Sequence, residues 1–232
     1  MYARLARELA GHYGFLLALI LADYLLLSLF SGNPAGRVVT NLVLSCTLLV
    51  TLLTARAPRR WIVLAFVFIG ASVLVLVTAT LTGTERTTSG LALALAALAL
   101  LATPVIIVRD IIRSRLVTVH SVMGAMCVYL LVGIIFALVY GVAGSLMPAG
   151  FFGSASLGTV PNYLFFSFMT LTTVGYGNLI PAAAFGQSLA MLEAILGQVY
   201  LIIVVARLVS LWGQDLPARA PRLAPSVAPS TE

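Results

Sequence analysis

Charge is scarce in this 232-residue chain: 9% of residues are charged, and lysine is absent altogether. An ordinary soluble domain is about 25% charged and roughly 45–50% apolar. Here 61% of residues are hydrophobic and the mean hydropathy is +1.11, so a soluble globular domain is excluded. The net charge of +6 is carried by arginines in short runs between apolar segments. A nucleic-acid surface needs cations clustered on one folded face, and no such cluster is present. Cysteine is nearly as rare. Cys46 and Cys127 both fall inside apolar segments, where they read as small core residues and not as a disulfide or a metal pair. No nucleophile–base pair, metal-ligand spacing or phosphate loop occurs, which leaves an enzyme reading unsupported and predicts no cofactor. Nucleotide- and calcium-binding motifs are missing too.

Long apolar runs are what the chain does contain. A membrane-crossing helix needs about 20 apolar residues to span a hydrocarbon core of about 30 Å. Six runs meet that requirement, at about 14–31, 38–54, 61–82, 90–108, 120–143 and 184–211. The connections are short except for roughly 40 residues between the fifth and sixth runs. With the N-terminus inside, Arg4, Arg7, Arg56, Arg59, Arg60, Arg109, Arg113, Arg115, Arg207, Arg219 and Arg222 all fall on the inner side. Only Arg37 and Arg86 fall outside. The positive-inside rule therefore predicts an integral protein of the plasma or cell inner membrane, with both termini cytoplasmic and the long connection outside. A cleaved signal peptide over the first run is the alternative. Asp23 interrupts that run and no small-x-small site follows it, which favours a retained helix.

The long connection has two parts. Residues 161–172 read as a short helix with Pro161 in its first turn, where a missing N–H costs nothing. Twelve residues rise only about 18 Å, so the helix can enter a membrane but not cross it. Its C-terminal end carries a partial negative charge that favours a cation beside it. Thr172-Thr173-Val174-Gly175-Tyr176-Gly177-Asn178 follows. Non-helical backbone at membrane depth is tolerated only where protein buries it or it lines a wet cavity. Gly175 and Gly177 allow alternate residues to reach positive φ, so that successive carbonyls can face one axis. Val174 and Tyr176 are then expected to point away from that axis and pack behind it. Pro181 ends the segment.

Thr170 through Gly177 resembles the signature of the potassium-channel pore family. The likeness extends over about 120–212 and is to six-span, bacterial-type channels with one pore loop per chain. It implies a selectivity filter of Thr173, Val174, Gly175, Tyr176 and Gly177, with K⁺ held at Thr173, Val174, Gly175 and Tyr176 as the permeant ion. A homotetramer is implied as well, because one chain supplies a quarter of the ligand cage. On the same likeness Gly197 matches a gating-hinge glycine, and Thr172, Gln198, Leu201 and Val205 line the pore or the cavity below the filter. Departures are Asn178, where many members have aspartate, and Met169, Phe165 and Phe166, where some place a carboxylate or tryptophans that brace the filter.

The fold expected is all-α: six transmembrane helices with a re-entrant pore helix and filter loop, assembled as a tetrameric pore in a lipid bilayer. Residues 1–108 form a four-helix transmembrane unit, 109–119 an amphipathic cytoplasmic linker, 120–212 the pore domain and 213–232 a disordered Pro-rich tail. The fourth span carries no arginine before Arg109, whereas a voltage sensor needs several charges crossing the field. The predicted function is passive, K⁺-selective conduction without voltage gating. The alternatives are a K⁺ transporter subunit, or a non-conducting signalling or scaffold protein with a vestigial pore. Two acids lie within spans, where charge is costly. Asp23 reads either as a packing residue or as a ligand- or proton-sensitive site. Glu193, one turn before Gly197, reads either as a structural brace behind the filter or pore helix, or as a proton-linked gating residue.

Overall fold

The computed structural model describes residues 13–30, 45–47, 49–50, 59–82, 85–113 and 119–212. Six helices are defined there: α1 (Tyr13–Phe30), α2 (Arg59–Thr82), α3 (Glu85–Arg113), α4 (Val119–Leu146), α5 (Val160–Leu171) and α6 (Ala184–Trp212). A single 3₁₀ turn, Ala155–Leu157, precedes α5. Residues 45–47 and 49–50 are helical too, but the rest of the expected second span lies outside the described residues.

Apart from α5, these helices are apolar around most of their circumference, as suits a bilayer or a helix-packed core. Among the described residues, three stretches are long and apolar enough to cross a membrane: Gly90–Arg109, Ser121–Leu146 and Ala184–Arg207. They correspond to the expected fourth, fifth and sixth spans. The runs expected to be the first and third spans fall on helices α1 and α2, and α2 contains the shorter apolar stretch Val63–Val75.

α3 continues through Pro104 to Arg113, so residues 109–113 of the expected linker are helical. Pro104 removes one hydrogen bond to the turn before it, while Arg109 and Arg113 are good helix formers that carry the helix onward. Residues 114–118 of that linker and the tail lie outside the described residues.

α4 is the organising element, packed against α1, α3, α5 and α6, while α2 packs on α3. Cys127, Val128, Leu131, Ile134, Ile135 and Leu138 are all buried along it. Small residues permit close backbone approach where no water drives helices together. A Cβ on Gly90 of α3 would lie 2.0 Å from Ser145 Oγ of α4, and one on Gly141 would lie 2.7 Å from Leu93 Cδ1.

An aromatic cluster fastens the α4–α6 connection. Phe151 is fully buried, with its ring centroid 4.9 Å from that of Tyr140, 5.1 Å from Phe152 and 5.8 Å from Phe166. The Ala182 N–H donates to the Phe151 carbonyl at 3.0 Å. The chain entering α5 is thereby tied to the chain leaving the loop beyond it.

Candidate functional site

The site is built on α5. Thr159 caps the helix, its Oγ1 accepting from the Asn162 N–H at 3.4 Å, and Pro161 sits in the first turn. The Asn162 side chain donates to the Leu157 carbonyl at 2.9 Å. The helix begins at Val160, one residue earlier than expected, because the Thr159 hydroxyl supplies the cap. At 12 residues it rises about 18 Å and lies packed between α4 and α6.

Its C-terminal end is closed from both directions. Thr172 donates to the Phe168 carbonyl through its N–H at 3.0 Å and its Oγ1 at 2.6 Å. The Thr173 N–H reaches the Thr170 carbonyl at 3.0 Å, and the Gly175 N–H reaches the Met169 carbonyl at 3.1 Å. On α4, the Tyr129 hydroxyl donates to the Leu171 carbonyl at 3.0 Å. These bonds take up carbonyls that the helix end would otherwise leave without partners.

Beyond this end the backbone alternates. Thr173, Gly175 and Gly177 have φ of 60°, 53° and 77°, while Val174 and Tyr176 between them do not have positive φ. In an ordinary strand successive residues face opposite ways; a left-handed residue at every second position turns successive carbonyls toward one side. Thr173 is the only non-glycine residue with positive φ among the described residues. For an L-residue this conformation costs about 1–2 kcal/mol, and such strain concentrates where surrounding structure enforces a functional geometry. Thr173 Oγ1 donates to the Thr172 carbonyl at 2.7 Å and accepts from Gln198 Nε2 at 3.5 Å.

α6 supplies the facing wall. Gln198, Leu201 and Val205 are exposed and lie at helical spacing along one face, with Gln198 reaching the strand through Thr173. Gly197 instead packs inward: a Cβ there would lie 2.8 Å from both the carbonyl oxygen and the Cδ1 of Leu171. Glu193 is fully buried. Its carboxyl is hydrogen-bonded to Ser167 of α5 and accepts from the Tyr140 hydroxyl of α4 at 2.5 Å. Asp23 lies on α1, but its side chain is outside the described residues.

Val174 and Tyr176 were expected to point away from the axis and pack behind the strand. They are 52% and 71% exposed in the single chain. Tyr176 stacks on Phe165 of α5, with centroids 6.2 Å apart and planes at 10°. Sequence reasoning missed Tyr129, Tyr140, Ser167 and Tyr200. The signal was available: buried tyrosines in apolar helices need partners for their hydroxyls, and Tyr140 lies two turns from Gly133 on the same face of α4. Tyr200 Oη donates to the Ala125 carbonyl at 2.7 Å, and its ring stacks on Tyr129 at 6.0 Å.

Two long apolar helices flanking a half-length helix and a strand of alternating handedness describe a helical membrane pore module. Residues 125–213 match a family model described as "Ion channel"; the matched region starts in α4 and takes in α5, the strand and α6. The match supports an ion-channel pore in this part of the chain and, with the three apolar helices, an integral membrane protein that passes ions. No curated protein and no solved structure matches the chain.

Proposed function

We propose that the chain is one subunit of a homotetrameric, K⁺-selective channel that conducts passively and is not gated by voltage. The observation that carries this reading is the alternation of φ at Thr173, Gly175 and Gly177, directly after the α5 C-terminus. Carbonyls aimed to one side replace the hydration shell of a K⁺ ion, with the Thr173 hydroxyl as the innermost ligand. One chain provides one strip of ligands, so a closed cage takes four copies. The exposure of residues 172–178 fits a strip that other copies cover.

The rest of the site has a role in the same reading. The α5 dipole favours a cation at its C-terminal end. Gln198, Leu201 and Val205 line the cavity below the filter, and Gly197 holds the inner helix α6 against Leu171. The pore enters from the outer side of a six-span chain whose termini are cytoplasmic. The test is reconstitution of the full chain in liposomes under opposed K⁺ and Na⁺ gradients, with Gly175→Asp as control. Selective K⁺ flux that the control abolishes is expected; equal K⁺ and Na⁺ permeation would overturn the proposal. Flux that saturates at low K⁺ and stays far below channel rates would identify a transporter instead.

A further inference from the structure

The protons around Glu193 can be counted. Three oxygen–oxygen contacts meet in a buried space between α4, α5 and α6. Tyr140 Oη lies 2.5 Å from Glu193 Oε2, Ser167 Oγ is hydrogen-bonded to Glu193 Oε1, and the same Ser167 Oγ lies 2.7 Å from the Gly133 carbonyl oxygen. Each contact needs one hydrogen. A carbonyl can only accept, while tyrosine and serine bring one hydroxyl hydrogen each. With Glu193 ionised there are two hydrogens for three contacts, and one pair of oxygens is left facing without a proton. With Glu193 protonated the count closes. Tyr140 donates to one carboxyl oxygen, the other carries the acid proton and donates to Ser167, and Ser167 donates to Gly133.

The charges nearby agree with this count. Glu193, Ser167 and Tyr140 are all fully buried, and a buried carboxylate needs a cation or a full set of donors. α4 and α5 are the elements packed against α6. Their titratable groups are Cys127, Tyr129, Tyr140 and Tyr163, together with His120 in the first turn of α4. None of the described side chains among these is a cation, and His120 sits about five turns from Tyr140 along α4. On α6 itself the basic residue is Arg207, about four turns farther along.

We infer that Glu193 is a protonated carboxylic acid in the folded protein and acts as a positioning residue, a neutral three-way joint that holds α5 against α4 and α6. Its effect on conduction rests on the K⁺-pore reading, since α5 is what presents the strand; its protonation does not.

The test uses the full chain reconstituted in liposomes, with Glu193→Gln, Glu193→Ala and Tyr140→Phe variants. The glutamine amide reproduces the neutral acid's pattern, donating to Ser167 and accepting from Tyr140. Glu193→Gln is therefore expected to keep wild-type assembly, K⁺ flux and K⁺-over-Na⁺ selectivity. Glu193→Ala leaves the buried Tyr140 hydroxyl without its acceptor and unties Ser167 from α6, and selectivity is expected to fall by about tenfold. Infrared spectroscopy reads the proton directly. The wild type should show a carboxylic-acid C=O stretch that Glu193→Gln lacks and that moves to higher frequency in Tyr140→Phe, where one donor to the carboxyl is removed. A Glu193→Gln variant that misassembles or fails as alanine does would overturn the inference, as would loss of a carboxylate band in place of an acid band. If wild type passes K⁺ and Na⁺ equally while the acid band is present, the K⁺-pore reading fails and the protonated joint stands.

Discussion

The carbonyl oxygen of Leu171, the last residue of α5, lies 2.8 Å from where a Cβ on Gly197 of α6 would sit. The inner helix and the end of the short helix thus meet backbone to backbone, with no room for a side chain. The same carbonyl accepts from Tyr129 Oη at 3.0 Å, so α4, α5 and α6 converge on one oxygen directly before the strand.

Gly197→Ala follows from that contact. The added methyl meets backbone and cannot be relieved by a rotamer change, so α5 or α6 must move. The expected loss is about 1–3 kcal/mol of stability, the usual cost of overpacking, together with weakened K⁺-over-Na⁺ selectivity. Single-channel recording separates this from a pure hinge, for which open probability would change while selectivity stayed intact.

Glycines of opposite need can be compared directly. A Cβ on Gly70, Gly175 or Gly177 would meet nothing within 4 Å in the chain, but only Gly175 and Gly177 have positive φ. Gly175→Ala and Gly177→Ala are expected to cost about 1–2 kcal/mol each through backbone conformation and to abolish K⁺ selectivity. Gly70→Ala, within helix α2, is expected to stabilise by about 0.5–1 kcal/mol and leave flux unchanged. Thermal unfolding and liposome flux read both.

Tyr129→Phe removes the donor to Leu171 while keeping the ring stacked on Tyr200. A loss of about 0.5–1.5 kcal/mol is expected. Tyr200→Phe removes the bond to Ala125 and should cost a similar amount. Because the two rings stack at 6.0 Å, a double-mutant cycle of the alanine variants should show non-additive unfolding energies, whereas the phenylalanine pair should add.

Voltage dependence should be shallow. The Gly90–Arg109 stretch has its one arginine at its C-terminal end, and each elementary charge moved across the field contributes only about 2.3 kcal/mol per 100 mV. Macroscopic currents across a wide range of potentials should give a nearly flat conductance–voltage relation. A steep relation attributable to gating charge would contradict this.

Much of the pore region was legible from local chemistry. A proline-started apolar segment of half-membrane length predicted residues 161–172, and the helix observed is Val160–Leu171. The two glycines at alternate positions predicted positive φ, and both have it. The left-handed Thr173 was not legible, since threonine has no preference for that region. Nor were the partners of Glu193 assigned, although the pore helix was one option for it. Tyr140 and Ser167 lie 53 and 26 residues away in sequence, and no spacing rule connects three different helices.

The sequence by itself determined that this chain belongs in a membrane, because too little of it is charged to face water, and that a half-length helix with a glycine strand follows the fifth apolar run. Periodicity, length and glycine content are local properties, readable one segment at a time. Only the tertiary structure decided that Gly197 presses on Leu171, that Phe165 stacks on Tyr176, and that Glu193 lies among hydroxyls with no cation facing it among the described residues. Those relationships depend on how α4, α5 and α6 rotate and slide against one another, which close packing of many side chains sets together and no single segment encodes.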